Sequence, residues 1–335
     1  ANVSVVADTG AIVNAAGSTK NVIATSLRLV ADEAIGSALI HLKTNVETLT
    51  ALSTGTGSGL AGIYLSEDSA LTVDTVTVSV TEFNADATIT VLEAGAQSGL
   101  LTGHNGHIVL LAGGSVTLNG GAAQANSEAV SANGTGSVLI DVNAGDLLVN
   151  ADIASSTGHI TLKAAQGISL VAGADVSTAS TGTVSVDAEG GDLTMSGTAS
   201  ITATNSSVRL NASGSVTLGQ VIATSVSVVA DTGAIVNAAG STKNVTATNL
   251  RLTADDAIGA ADRHLTTNVA TLTALSTGTT TAGIYLTQDS AVTVDTVTVS
   301  VTEFSSTATT NVVKDASQSD LVTGNNGNIV LVASG

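Results

Sequence analysis

The sequence lacks Pro, Cys and Trp altogether, and its 335 residues include only 2 Tyr, 2 Phe and 1 Met. Without Cys, stability cannot depend on disulfide bonds. Aromatic residues are 1% of the chain while hydrophobic residues are 43%, so the apolar mass must be Ala, Val, Leu and Ile. A broad globular core normally uses aromatic side chains as its bulkiest filler. We therefore expect a thin, repetitive fold with a narrow interior, and a mean hydropathy of +0.42 argues against disorder.

Positive charge is also scarce. The chain has 9 Lys and Arg against 27 Asp and Glu, which gives a net charge of −18 and a pI near 4.2. Without a basic cluster, neither nucleic acid nor an anionic membrane surface is an expected partner. No apolar run approaches the roughly 18 residues that span a bilayer, so we expect no membrane insertion. An acidic surface favours weak association with divalent cations, so weakly bound Ca²⁺ is the only cofactor considered.

A long repeat organises the chain. The segment Val3–Val22 recurs letter for letter as Val226–Val245, and Asp74–Phe83 recurs as Asp295–Phe304. The sequence thus holds one large unit, approximately residues 1–225, and a second, partial copy at 226–335. We interpret residues 1–335 as one continuous β-solenoid.

A shorter period lies inside the large unit. Apolar-x-apolar triplets alternate with Gly, Asn, Asp and Ser, as short half-buried strands with turns do. The first strands of successive triads begin at Ile160, Val184, Val208, Val226 and Leu250, in steps of 24, 24, 18 and 24 residues. Such steps predict an all-β fold, a parallel β-helix with roughly 18–30 residues per coil. The whole chain would make about 15 coils in a rod of roughly 70 Å.

Two local predictions accompany this architecture. Asn119, Asn150 and Asn211 each follow an apolar strand residue, a position that suits left-handed turns. The region Ala254–Thr281, with its counterpart from Ala31, has fewer clean triplets. We expect a longer loop there, with room for a helical turn, on the side of the rod.

The glycine-led strands resemble a known family. The stretches GHITLKAAQGISLVAG, GGDLTMSGTASITATN and GSVTLG are similar to the repeats of very large secreted bacterial adhesins of the filamentous haemagglutinin type. The resemblance covers essentially the whole chain, but its motifs specify a scaffold and no activity. It implies a right-handed β-helix in an extracellular, cell-surface or fibre-forming protein.

Two Asp-Thr-Gly motifs, at Asp8 and Asp231, resemble the paired carboxylates of a bilobal aspartic protease. The surrounding segment is duplicated, however, so any tripeptide in it must occur twice. In a rod the two carboxylates would lie roughly 50 Å apart and could not share a proton. We interpret both motifs as turns.

Histidine offers the next candidate. His104-Asn-Gly-His107 suggests a metal clip, but the second copy has Asn325 and Asn328 in place of both imidazoles. A solvated turn is therefore the better interpretation. His41 and its equivalent His264 each stand without a cluster of Cys, Asp or Glu.

Several acidic positions recur between the copies, and Ca²⁺ could bridge such carboxylates. The nonapeptide G-G-x-G-x-D of calcium-binding repeats never appears, and Gly190-Gly191-Asp192 is only a fragment of it. Glu93 becomes Lys314 in the second copy, a charge reversal that indicates a solvent face. The recurring acidic positions are Asp32-Glu33 with Asp255-Asp256, and Asp68 with Asp289.

A polysaccharide-binding or polysaccharide-cleaving β-helix is the alternative reading. Cleavage needs basic and acidic groups clustered on one face, with aromatic platforms for sugar rings, and nine dispersed basic residues fit this poorly. Ice binding needs flat ranks of outward Thr, which the predicted outward residues do not form, and Thr75-Val-Thr77 and Thr296-Val-Thr298 are isolated pairs. Those outward residues are Thr161, Ser185, Arg209, Ser227 and Arg251.

The four aromatics are two positions used twice, Tyr64 with Tyr285 and Phe83 with Phe304. Local packing where a loop covers the rod is the first interpretation, and contact with a ligand is the second.

These patterns predict no enzyme, and no catalytic, cofactor-binding or metal-ligating residue. The expected role is structural and adhesive: a rigid spacer or fibre shaft in a very large surface or secreted bacterial protein, located outside the cell. Homotypic end-to-end or lateral contacts are the expected partnerships, because open strand edges at the rod's ends could drive assembly into filaments.

Overall fold

A computed structural model describes residues 1–56, 61–121, 128–278 and 282–334. Its regular elements in these ranges are all β-strands, with no helix. The strands of the first large unit that precede residue 128 are β1 (Asn2–Ala7), β2 (Val22–Ala31), β3 (Leu42–Ser53), β4 (Gly62–Glu67), β5 (Leu71–Val73), β6 (Val76–Phe83), β7 (Ile89–Gln97), β8 (Leu100–Thr102), β9 (His107–Ala112) and β10 (Val116–Leu118).

Most strands in the middle of the chain have three to five residues, and two of them are longer. They are β11 (Val130–Ala132), β12 (Val138–Val142), β13 (Leu147–Val149), β14 (Ile153–Ser155), β15 (Ile160–Ala164), β16 (Ile168–Leu170), β17 (Asp175–Thr178), β18 (Val184–Ala188), β19 (Leu193–Met195), β20 (Ser200–Ala212), β21 (Val216–Leu218) and β22 (Gln220–Ala230).

The second copy completes the series. Its strands are β23 (Ile235–Asn237), β24 (Val245–Ala254), β25 (Leu265–Ser276), β26 (Gly283–Gln288), β27 (Thr293–Val294), β28 (Ser300–Phe304), β29 (Thr310–Lys314), β30 (Leu321–Thr323) and β31 (Asn328–Ala333). None of the described segments forms a helix long and apolar enough to cross a membrane.

The strands stack as a parallel β-helix, as the sequence predicts. Most strands pair in parallel with the strand one coil before and with the strand one coil after them. The predicted first strands are confirmed to the residue, and the coils between them have 24, 24, 18 and 24 residues. Their pairs are Ile160 with Val184, Val184 with Val208, Val208 with Val226, and Val226 with Leu250.

Like residues stack on like residues in the interior. One column of alanines passes through Ala164, Ala188, Ala212, Ala230 and Ala254, all at most 1% exposed. A single cluster of Ala, Val, Leu, Ile and one Met forms the core along the stack. Because each coil buries its apolar faces only against its neighbours, the coils are stable as a stack and not alone.

The stack is shorter than predicted, because part of the chain leaves it. One ladder runs from β1 through β2, β3, β5, β10, β13, β16, β19, β21 and β23, and continues through Ile258, Ile284 and Ile329. These thirteen levels, instead of 15, give a length of roughly 60 Å.

Two antiparallel hairpins account for the difference. The first hairpin, β6–β7, is inserted between β5 and β8, which both pair with β3. The second hairpin, β28–β29, is inserted between β27 and β30, which both pair with β25. Each hairpin is therefore an insertion between two strands that lie at the same level of the stack.

The loop predicted at Ala254–Thr281, and from Ala31, is wrong in its main part. Both regions contain a strand of 12 residues, β25 and β3. These strands continue from one face of the coil to the next, so their inward alternation changes phase in the middle and hides the triplet pattern. Thr279, Thr280 and Thr281 lie outside the described residues.

The left-handed turns predicted for Asn119, Asn150 and Asn211 are also wrong, since none of the three has a positive φ. Asn211 lies within β20, where its amide donates to Asp187, and Asn150 donates to Asn119. Side-chain ladders between coils explain these asparagines. The left-handed positions of the described segments are instead occupied by residues such as His104, Asn105, Asn325 and Asn326.

Candidate interaction surface on the outside of the stack

One outward-facing row of side chains runs along most of the stack. We call it the outer row, and its members are in register from strand to strand: Tyr64, Val109, Leu139, Thr161, Ser185, Arg209, Ser227, Arg251 and Thr273. The five residues that the sequence predicts to point outward all belong to it. Yet Thr161, Ser185 and Ser227 are 0% exposed.

The second hairpin covers this row. It leaves the stack after β27 and folds back over β25, β24, β22, β20, β18 and β15. At its base, Arg251 Nε donates to the Ala316 carbonyl at 3.1 Å, and Gln318 donates to Thr273 Oγ1 at 3.2 Å. Thr253 Oγ1 donates to Gln318 Oε1 at 2.7 Å. The outward groups are buried because this strand pair lies on top of them.

Ion pairs bind the middle of the hairpin to the stack. Lys163 Nζ lies 2.9 Å from Glu303 Oε2, while Ser185 Oγ donates to Glu303 Oε1 at 2.8 Å. Arg209 Nε donates to Asp315 Oδ1 at 3.1 Å. A half-buried pair of this kind fixes register and orientation as much as it adds stability.

The tip of the second hairpin reaches the first unit. Phe304 is 3% exposed and packs on Tyr64, Val109 and Leu139. Its ring centroid lies 4.7 Å from that of His107, and its backbone N–H donates to Thr161 Oγ1 at 2.9 Å. The aromatic at 304 thus packs locally where an inserted segment covers the rod, as the first interpretation predicts.

Burial under the hairpin changes the acidity of several groups. It lowers the pKa of His107 and of His159, and it raises the pKa of Tyr64. Burial also raises the pKa of Asp141, although nearby Lys163 opposes the change. Burial alone would lower the pKa of Lys163, but the hydrogen bond and charge of Glu303, with nearby aspartates, raise it overall.

The first hairpin has the same base but a different surrounding. Arg28 Nε donates to the Gly95 carbonyl at 3.1 Å, and Gln97 donates to Thr50 Oγ1 at 3.1 Å, as Arg251 and Gln318 do in the second copy. The hairpin extends beyond β1, however, and its outer end is not covered by the strands of the stack. Phe83 is 73% exposed there, whereas its equivalent Phe304 is 3% exposed.

The two Asp-Thr-Gly motifs lie far apart. Asp8 and Asp231 are exposed and each directly follows a strand, β1 or β22. The ladder from Val22, at the end of the coil of Asp8, to Ala230 passes Thr44, Glu67, Ala112, Val142, Ala164, Ala188 and Ala212. These eight strand spacings amount to roughly 38 Å, so the carboxylates are not brought together.

The histidines have different surroundings. His104 is exposed and has a positive φ, as Asn325 does in the second copy. His107 instead turns towards the second hairpin, and its Nδ1 accepts from the Ser137 N–H at 2.9 Å. His41 Nε2 lies 3.0 Å from the Ser306 carbonyl at the hairpin tip. Among the residues described, no group of three or more His, Cys, Asp or Glu is arranged to hold a metal ion.

Four of the recurring acidic residues have protein partners. Asp68 lies 2.8 Å from Lys20 Nζ, and Asp289 lies 2.8 Å from Lys243 Nζ. Asp255 accepts from Thr277 Oγ1 at 3.1 Å, and Asp32 accepts from Thr54 Oγ1 at 3.0 Å. Glu93 and Lys314 are exposed, as the charge reversal between the copies predicts.

A groove of the described surface lies beside the tip of the second hairpin. It has a volume of about 700 Å³, and its lining includes Asn14, Leu39, His41, Lys43, Ser306 and Thr307. The groove carries one imidazole and one ammonium group, with no carboxylate in its lining.

Sequence reasoning missed the two hairpins and the buried carboxylate of Glu67. The signal for the hairpins was available, because the ten identical residues from Asp74 and from Asp295 show strict alternation without a Gly for a coil corner. Such a run predicts a longer free strand instead of a coil strand. No protein family, no curated protein and no solved structure matches the chain.

Proposed function

We propose that the chain is a rigid spacer or fibre shaft in a very large surface or secreted bacterial protein. It would act outside the cell, displaying or forming adhesive contacts. The sequence resemblance to adhesins of the filamentous haemagglutinin type supports this proposal. So does the near-identical large repeat, because a spacer can be lengthened by duplicating a unit, whereas an active site gains little from being copied.

The observation that carries the proposal is the continuous parallel stack. Strand follows strand in register over roughly 60 Å, around one aliphatic core. Each coil is held by the coils on both sides, so bending requires many ladder hydrogen bonds to break together. The second hairpin braces the outer face of several coils and adds to this stiffness.

The polysaccharide alternative has weaker support. Sugar-binding sites use exposed aromatic faces, but Tyr64 and Phe304 are 8% and 3% exposed. Phe83 is exposed, yet it stands on the outer end of the first hairpin. The basic side chains Lys163 and Arg209 are engaged by Glu303 and Asp315.

Small-angle X-ray scattering of the full chain, with cryo-imaging, tests the spacer proposal. We expect an elongated rod, with a length of roughly 60 Å for a single chain at low concentration. Compact globular particles would reject the proposal. Cleavage or tight binding in a panel of acidic polysaccharides would favour the alternative.

A further inference from the structure

The first hairpin presents an apolar surface that its twin in the second copy buries. Val80 is 55% exposed while its equivalent Val301 is 1% exposed. Phe83 and Phe304 differ in the same way, at 73% and 3%. The residues are identical in the two copies, so the difference lies in what covers them.

The cover is visible in the second copy. There, β22 pairs with β20, the outer row continues through Arg209, Ser185 and Thr161, and the hairpin lies over it. β1 has the same sequence as the second half of β22 from Val3 onward, but it pairs only with β2. The strand edge and the hairpin face are therefore open on the same side of the same coil.

A cleft lies on this open side of β1. Its volume is about 410 Å³, and it lies between the first hairpin and β1. Its lining includes Asn2, Val3, Ser4, Val78, Val80 and Leu92. In the second copy the corresponding position beside β22 is filled by β20.

We infer that the open edge of β1 and the exposed face of the first hairpin together form a docking surface for a further copy of this repeat unit. The strand corresponding to Ser207–Ala212 of that copy would pair with β1. Its outer row would lie under the hairpin, with Phe83 on the positions of Thr161 and Leu139. The hairpin thus acts as a clasp that spans the joint between two successive units.

A charged residue of this contact also recurs in the first hairpin. Glu82 is exposed and is the equivalent of Glu303, which binds Lys163 Nζ and Ser185 Oγ. Glu82 would make the same pair with the lysine of the incoming unit. One contact would not be repeated, because Ala94 stands where Asp315 binds Arg209 in the second copy.

The inference rests on the proposed function in one respect, namely that units follow one another along a shaft. It adds which surface joins them and how. A compact particle in the scattering experiment would overturn the proposal of a shaft. Thiol labelling of positions 80 and 301 can contradict the docking surface while the chain remains a rod.

The test uses the absence of Cys from the chain. A single thiol is introduced as Val80→Cys or, as the matched control, Val301→Cys. In the full chain we expect Cys-directed reagents to modify position 80 about 100-fold faster than position 301, which reacts only after local opening. The chain is then extended by fusing a second copy of residues 100–223 ahead of Ala1, as Ala223 precedes Thr224 within the chain.

In the extended chain, we expect labelling of position 80 to slow to the rate of position 301, and amide exchange in β1 to slow as well. Slow β1 exchange with an unchanged labelling rate at position 80 would overturn the clasp. Unchanged β1 exchange would overturn the stacking and with it the whole inference. Glu82→Lys should restore fast labelling at position 80 in the extended chain, just as Glu303→Lys should accelerate it at position 301.

Discussion

Glu67 is a buried side chain whose role can be compared between the two copies. It is 2% exposed and accepts hydrogen bonds from Thr44 Oγ1 at 2.7 Å, from Ser69 Oγ at 2.8 Å and from the Val46 N–H at 3.1 Å. Its counterpart Gln288 is 0% exposed and accepts from Thr267 Oγ1 at 2.7 Å. A carboxylate and an amide thus fill the same corner of the coil.

We predict that Glu67→Gln changes the local free energy of unfolding by less than about 1 kcal/mol, whereas Glu67→Ala costs about 2–3 kcal/mol. The amide preserves an acceptor for Thr44 and Val46, while alanine leaves both buried donors unpaired. Amide exchange of β3 and β4 measures the difference. Equal losses for the two variants would contradict the prediction that the amide replaces the carboxylate as acceptor.

His107 and His159 make the hairpin contact sensitive to pH. Each Nδ1 accepts from a backbone N–H, of Ser137 at 2.9 Å or of Thr183 at 3.2 Å, so protonation at that nitrogen would break the bond. Burial lowers the pKa of both groups, so the folded protein binds fewer protons than the unfolded chain. The stability that these two neutral imidazoles contribute is complete above pH 6.5, and it is lost as the pH falls through their lowered pKa.

We therefore predict that acidification from about pH 7.5 to about pH 5 loosens the second hairpin. Labelling of Val301→Cys at matched thiolate concentration measures the opening. His107→Asn, which copies the residue at position 328, should reduce the pH dependence. Asp141 must be controlled by Asp141→Asn, because its raised pKa makes stability fall as the pH rises from 3.8. A pH-independent labelling rate would contradict the account.

At the scale of elements, the two hairpins form a natural experiment. Phe304→Ala should weaken the second hairpin by about 3 kcal/mol, because it removes a ring packed on Val109 and Leu139. Phe83→Ala should change stability by no more than about 0.5 kcal/mol, because that ring is exposed. Amide exchange of each hairpin gives both values, and comparable losses would mean that the hairpins are equally docked.

Lys163 and Glu303 should be coupled energetically. Because the pair is partly buried and Glu303 also accepts from Ser185, we expect a coupling of about 1–2 kcal/mol in a double-mutant cycle with Lys163→Met and Glu303→Gln. Exchange protection of β28 is the measurement. Additive effects of the two substitutions on the free energy of unfolding would show that Lys163 and Glu303 are not coupled energetically.

The coil strands could be predicted from the sequence, but the hairpins could not be placed. Val184, Val208 and Val226 follow a local alternation that one coil already specifies. The position of Phe304 instead depends on side chains of the first unit, from residues about 140 to 240 positions earlier in the chain. Nothing in the local pattern of β28 indicates which of the rod's outer faces it covers.

At the scale of the whole molecule, the same distinction explains the candidate sites. The large distance between the two Asp-Thr-Gly motifs follows from the coil period alone, since any segment and its repeat must lie many coils apart. The partners of Asp68 and Asp289 needed the structure, because Lys20 and Lys243 lie in a different coil. The repeat period determines how far apart two equivalent residues lie along the stack. The partners of a side chain on the surface depend instead on the conformation of the turns in each coil.

The coil stack itself is tested most directly by the distance between its two Asp-Thr-Gly turns. Spin labels at Asp8→Cys and Asp231→Cys stand on exposed positions of a chain with no other thiol, so each variant needs no background substitution. The stack predicts a single distance distribution centred at roughly 40 Å. A separation under about 20 Å would mean that the two copies fold back on each other as lobes, and it would contradict the β-helix.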